Sequence, residues 1–249
     1  MSAWVAMLLG GALAAGAAPA PLRDEPPDTC ARAKVELARA RDAALDGWRA
    51  KSSDDPLALE TDVLHYRLEL EVSPASRMLD GANTMTVACI ADGTSAFRFW
   101  LHPALAVTSL TVDGRAAGWR RLDERALEVE LGSSCNAGDR FELRVAYRGS
   151  PVTAGLSSIV FESQGDWPVV ATLSEPWFAS TWWPVKEDSR DKATGELVIT
   201  VPAELTVVAN GTLVDVQAVA GGRRRFHWST AYPTSPYLFA FAATSYSTF

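Results

Sequence analysis

Three histidines (His65, His102, His227) and three cysteines (Cys30, Cys89, Cys135) are the nitrogen and sulfur side chains that could ligate a metal in this 249-residue sequence. No two histidines stand four apart and no H-E-x-x-H occurs, so a helical zinc site is absent from the chain. No C-x-x-C occurs, which excludes a zinc ribbon. His65 and His227 fall in strand-like runs beside aromatic residues, and His102 precedes Pro103. A site assembled from separate strands is the one route left for the histidines, and a lone strand histidine is more often packed or exposed than a ligand. The sequence also lacks G-x-S-x-G and G-x-x-x-x-G-K-[ST], so a hydrolase nucleophile elbow and a phosphate-cradling loop are excluded. No catalytic residue and no metal ligand is therefore expected in this chain.

One segment concentrates polar and aromatic chemistry, residues 171–213, ATLSEPWFASTWWPVKEDSRDKATGELVITVPAELTVVANGTL. Read from the residues alone, Glu175 is a loop glutamate that caps a backbone amide or pairs with a lysine. Trp177, Trp182 and Trp183 read as core or interface packing, with a cleft-lining role as the sharper alternative. The run Arg223-Arg224-Arg225 follows two glycines and reads as the exposed start of a strand.

The elements that must hold this segment are strands. In residues 63–72, VLHYRLELEV, Leu64, Tyr66, Leu68, Leu70 and Val72 alternate with His65, Arg67, Glu69 and Glu71, the period of a half-buried strand. Similar runs recur at 85–90, 97–101, 107–112, 126–131 and 141–147, then at 196–201, 205–210, 211–217, 224–229 and 237–243. Turns are expected at Asp80-Gly81, Asp92-Gly93, Asp113-Gly114 and Ala137-Gly138-Asp139. Strands at this spacing without intervening helices predict an all-β, antiparallel sandwich or saddle-like domain over 61–249.

Before it, residues 1–20 carry an apolar run from Trp4 to Ala15 and then small residues that suit a signal-peptidase site ending at Ala17 or Ala20. No Lys or Arg precedes that run, a departure from the usual signal. Residues 21–60 read as a Pro-rich linker and one helix spanning Cys30 to Lys51. A periplasmic or secreted protein is the expectation, with no membrane span once the signal is cleaved. In such an oxidising compartment two of the three cysteines can pair, and the sequence does not say which; a buried thiol is the plain reading of Cys89. The net charge of −7 argues against a nucleic-acid partner.

The order of motifs carries a resemblance. Thr172-Leu173-Ser174-Glu175, then Trp182-Trp183-Pro184-Val185-Lys186-Glu187-Asp188, then Ile199-Thr200-Val201-Pro202 and Ala209-Asn210-Gly211, and finally SPYLFAFA at 235–242 follow one another as in a known domain. Together with the opening DVLHYRLELEVSPASRMLDG at 62–81, they resemble the N-terminal β domain of the aminopeptidase N-like zinc metallopeptidases, the family of membrane alanyl aminopeptidases and leukotriene hydrolases. The resemblance covers about residues 60–249.

The resemblance implies that Glu175 is a substrate-binding carboxylate that grips the free α-amino group of a peptide, so that only chain ends are cleaved. It also implies a downstream domain that holds zinc, with H-E-x-x-H and G-x-M-E-N, neither of which is in this chain. The partners implied are a peptide N-terminus and that catalytic domain. The chain stops at Phe249, about where the family's first domain hands over, so a fragment, a truncated gene product or a stand-alone relative is expected, inactive alone. The sequence departs from the family at Leu173 (often Gln), Val185 (usually Cys), Glu187 (usually Asp) and Ser189 (often Pro). The competing expectation is a non-catalytic β-sandwich binding or scaffold module. An amine-anchoring domain predicts an exposed aromatic patch around Trp177–Trp183, whereas a scaffold module predicts a complete surface of its own.

Overall fold

A computed structural model describes residues 56–155 and 157–246. The proposed signal peptide, linker and helix, and Cys30, lie outside the described residues. The first half builds β1 (Thr61–Ser73), β2 (Met78–Cys89), β3 (Thr94–Trp100), β4 (Leu105–Val112), β5 (Arg115–Ala116), β6 (Trp119–Arg121), β7 (Ala126–Cys135) and β8 (Arg140–Gly149). The second half adds β9 (Ile159–Gln164), β10 (Trp167–Thr172), β11 (Ala193–Pro202), β12 (Thr206–Ala209), β13 (Thr212–Val219), β14 (Arg223–Thr234) and β15 (Phe241–Thr244). Among the described residues only short 3-10 turns punctuate them, in keeping with the lack of a 3.6-residue apolar period there.

The strands form three sheets. The large one has eight strands in the order β13-β14-β11-β1-β2-β8-β4-β5, and two smaller ones run β12-β15-β10-β9 and β3-β7-β6. Each of these strands is antiparallel to its neighbours except at β1 and β11, which run parallel from His65 opposite Thr194 to Glu71 opposite Thr200. One continuous core draws on all three sheets, including Leu68, Leu70 and Val72 of β1, Phe97 and Phe99 of β3, and Phe241 of β15. Cys89 and Cys135 form a disulfide across 46 residues. This resolves the open pairing, and Cys89 is buried as a half-cystine rather than as a free thiol.

Several expectations need correction. Asp80 and Gly81 are not a turn but lie inside β2. The chain reverses earlier, at Pro74–Ser76, where Arg77 takes a left-handed conformation (φ 54). Gly81 is needed there because any Cβ would run into the Glu69 carbonyl on β1. In β1 the alternation slips at Leu64. A bulge between Val63 and His65 turns Val63 inward and leaves Leu64 partly exposed, although the strand alternates normally from Tyr66 onward. The run at 237–243 is a strand only from Phe241 onward, because Pro236–Leu238 form a 3-10 turn.

Candidate functional site

Between the end of β10 at Thr172 and the start of β11 at Ala193 the chain has one 3-10 turn, Ala179–Thr181, and otherwise no regular helix or strand, yet most of it is buried. A buried irregular segment must satisfy its polar groups locally, and this one does so in several places. The Phe178 amide donates to the Ser174 carbonyl (2.9 Å), and the Thr181 hydroxyl donates to the Phe178 carbonyl (2.7 Å). The Trp182 indole N–H donates to the Ser174 hydroxyl at 2.8 Å.

The loop is then stitched to β1, β2 and β3. Trp100 and Val185 exchange two backbone hydrogen bonds (2.7 and 3.0 Å), and the His102 amide donates to the Ser180 carbonyl (2.8 Å). The Asn83 side-chain amide donates to the Pro184 carbonyl at 2.8 Å. Arg125, from the turn before β7, reaches the Glu187 carboxylate at 2.6 Å and the Ser180 hydroxyl at 3.1 Å, while Ser180 donates to Glu187 at 2.8 Å. Burial pushes the Glu187 carboxyl above its ordinary value, opposed by Arg125 and the Ser180 bonds. Burial likewise lowers Arg125, opposed by Glu187. Both charges depend on each other for solvation. Lys186 and Asp191 form a second buried ion pair, and Asp191 also accepts the Val63 amide of β1 (3.1 Å).

Aromatic rings fill the space beneath. Trp183 meets Tyr66 edge-on at 5.0 Å and Phe239 at 5.6 Å, and Trp182 meets Phe241 at 5.6 Å. Gly195 of β11 leaves room for the Phe239 ring, which occupies the place of its missing Cβ. The expected exposed patch at Trp182 and Trp183 is therefore overturned, since both are fully buried and only Trp177 of the three is partly exposed. The bulky indoles sit inward because each completes a ring cluster with residues of the large sheet or of the small β12-β15-β10-β9 sheet.

Glu175 stands out against this interior. It is exposed, flanked by buried Ser174, and joined to Pro176 by a cis peptide bond. No hydrogen bond or ion pair among the described residues engages its carboxylate, so the lysine partner and amide cap considered from the sequence are not found there. Leu173, two residues before it, is 50% exposed.

The three histidines divide. His65 and His227 are both brought to Glu196, at 3.7 and 2.9 Å, on the face of β1, β11 and β14. Arg67 pairs with the same carboxylate, and the Thr194 hydroxyl meets His65 Nδ1 at 2.8 Å. Sequence spacing missed this cluster, and only the pairing of the three strands reveals it. His102 instead turns back on its own loop and accepts the Ala104 amide at 3.2 Å. Among the described residues no group of three His, Cys, Asp or Glu side chains is placed to hold a metal ion.

Residues 62–238 match the family model of the peptidase M1 N-terminal domain. The chain belongs to the M1 peptidase family. Mouse aminopeptidase B is 27% identical over 213 residues, covering 73% of this chain and 31% of that protein. The M1 zinc metallopeptidase of Deinococcus radiodurans shares the fold with a TM-score of 0.66 at 24% identity, over 74% of this chain and 42% of its own. A mutant of that enzyme, bound to a Tyr-Ser-Ala substrate, aligns equally well at 23% identity. Leukotriene A4 hydrolase of Saccharomyces cerevisiae follows with a TM-score of 0.61 at 22% identity, over 77% and 30%. The M1 chain thus spans about a third of the curated relative it matches. The D. radiodurans relative is a zinc metallopeptidase, whereas the described residues of this M1 domain offer no ligand set that fits zinc.

Proposed function

We propose that this chain is the N-terminal β domain of an exported zinc aminopeptidase and that Glu175 anchors the α-amine of the peptide substrate. The observation that carries this reading is the contrast at Glu175, an exposed and unengaged carboxylate on a loop otherwise bolted into the core. A carboxylate facing an ammonium makes short charge-assisted hydrogen bonds, roughly twice as strong as neutral ones. Set beside a metal site, it would admit only peptide ends. The binding of Tyr-Ser-Ala by the D. radiodurans enzyme is consistent with a peptide ligand for this domain type.

In this reading zinc and the water it activates belong to a following catalytic domain, and this chain supplies substrate binding. The Cys89–Cys135 disulfide supports export, because such bonds persist in oxidising compartments. In this reading the protein is periplasmic or secreted.

The test is to read the coding sequence beyond Phe249 for G-x-M-E-N and H-E-x-x-H, and to assay the longest product on alanine anilide. Turnover that needs zinc and falls about 10²-fold or more in Glu175→Ala supports the reading. Absence of both motifs in every frame, or unchanged kcat/KM in Glu175→Ala, overturns it.

A further inference from the structure

We infer that Trp182 is a positioning residue for Glu175 and acts through Ser174, an inference that rests on the amine-anchoring reading for its functional consequence. Indole N–H can only donate, so the 2.8 Å contact fixes the Ser174 hydroxyl as its acceptor. Trp182 itself has little freedom. It is fully buried, with the Phe241 ring edge-on at 5.6 Å and Trp183 at 5.5 Å. Ser174 is also fully buried, and its carbonyl accepts the Phe178 amide at 2.9 Å. The residue is thus held through its side chain and its main chain at once.

Glu175 is the next residue, and Pro176, whose ring restricts the backbone of the residue before it, follows. Its Cα is therefore confined from both sides while its carboxylate stays open to solvent and without a partner among the described residues. Such an arrangement pre-sets the location of the carboxylate before a ligand arrives, and a displacement of about 1 Å can cost on the order of 10²-fold in a positioned interaction. Trp182 touches no ligand in this scheme, since it has no exposed surface.

The experiment uses the whole chain, isotope-labelled, with Ser174→Ala and Trp182→Phe removing the bond from either side and Ser174→Thr retaining a hydroxyl. The first readout is the backbone order parameter of Glu175. It is expected at about 0.85 in the native chain and in Ser174→Thr, and below about 0.6 in the two variants that lose the bond. The second readout is the Glu175 carboxyl carbon resonance during titration with alanyl-alanine amide or its N-acetyl form. The free amine is expected to shift it selectively, with apparent affinity reduced about tenfold or more in Ser174→Ala and Trp182→Phe and restored in Ser174→Thr. If both folded variants keep the native order parameter, the positioning role is overturned whatever the peptide does. If order is lost as expected but the native chain does not distinguish the free from the acetylated amine, the positioning stands and the amine-anchoring reading fails. Should Ser174→Ala not fold, Trp182→Phe alone decides the first readout.

Discussion

Arg125 and Glu187 meet at 2.6 Å in the interior although 62 residues separate them in the chain. The pair joins the turn before β7 to the loop that carries Glu175, and Ser180 closes the triangle. Removing one partner of a buried pair leaves the other charge unsolvated, which costs about 3–5 kcal/mol. Arg125→Ala and Glu187→Ala should each lower stability by that amount in denaturant titration. A double replacement with Met should recover much of the loss. Equal instability of the single and double variants would refute the coupling.

The disulfide yields a second expectation. Closing 46 residues restricts the unfolded chain by about 4 kcal/mol in the loop-entropy view. Cys89→Ser with Cys135→Ser should lower the denaturation midpoint accordingly, and peptide mapping without reductant should recover the two cysteines in one fragment pair. A map that joins Cys30 to either would contradict the bond.

Acid sensitivity should trace in part to Glu128, whose carboxylate lies between Arg98 on β3 (3.0 Å) and Arg120 on β6 (2.5 Å). Burial raises its pKa, but hydrogen bonds and charges from Arg120 and Arg98 outweigh that and bring it below the ordinary 4.5. A depressed folded pKa means stabilisation that is complete above the unfolded value and lost as pH falls through the folded one. Glu128→Gln should therefore cost on the order of 1 kcal/mol at neutral pH. The variant and the native chain should converge once the pH has fallen through the depressed folded pKa, below the ordinary carboxylate range. Curves that stay parallel across that range would show that the ion pairs contribute nothing.

Gly195 should tolerate no side chain. A Cβ there meets the Phe239 ring, itself packed on Tyr66 at 5.7 Å and on Trp183. Gly195→Ala should destabilise by about 1–3 kcal/mol through overpacking. Gly195→Ala combined with Phe239→Leu should lose less than Phe239→Leu and Gly195→Ala summed, a coupling read directly from a double-mutant cycle.

Glu175→Gln should leave stability within about 0.5 kcal/mol of the native chain, because the side chain is exposed and unengaged. A larger loss in thermal melting would reveal a structural role for this carboxylate and remove the ground for reading it as a ligand group.

Period-two alternation made most strands legible, because one face of each is buried. It failed where geometry departs from that period. The bulge at Leu64 shifts the inward set by one position, and nothing in residue type announces it. The β9–β10 hairpin was also missed. Its strands are half exposed, with Glu162, Ser163 and Gln164 on one side and Trp167 and Pro168 on the other, so no clean alternation appears, although Gly165-Asp166 marks the turn. The parallel pairing of β1 with β11 is a long-range choice that local pattern does not encode.

At the candidate site, motif order singled out Glu175, and residue type alone pointed to packing for Trp182 and Trp183. The packing reading of the two tryptophans held, whereas the exposed patch expected of an amine-anchoring domain did not. The coupling of Trp182 to Ser174 and of Arg125 to Glu187 was not legible, as hydrogen-bond partners eight and 62 residues apart carry no spacing rule in irregular backbone. The meeting of His65 and His227 at Glu196 was equally hidden, since it depends on the register of three strands.

The parallel seam between β1 and β11 joins His65 to Thr194, residues 129 apart, at the middle of the large sheet. A ribosome delivers β1 long before β11 exists. Until then one rim of the β1–β2 hairpin is an open template that any extended segment can occupy. The order of synthesis thus works against this sheet, and the nascent chain should depend on holdase protection until its second half emerges.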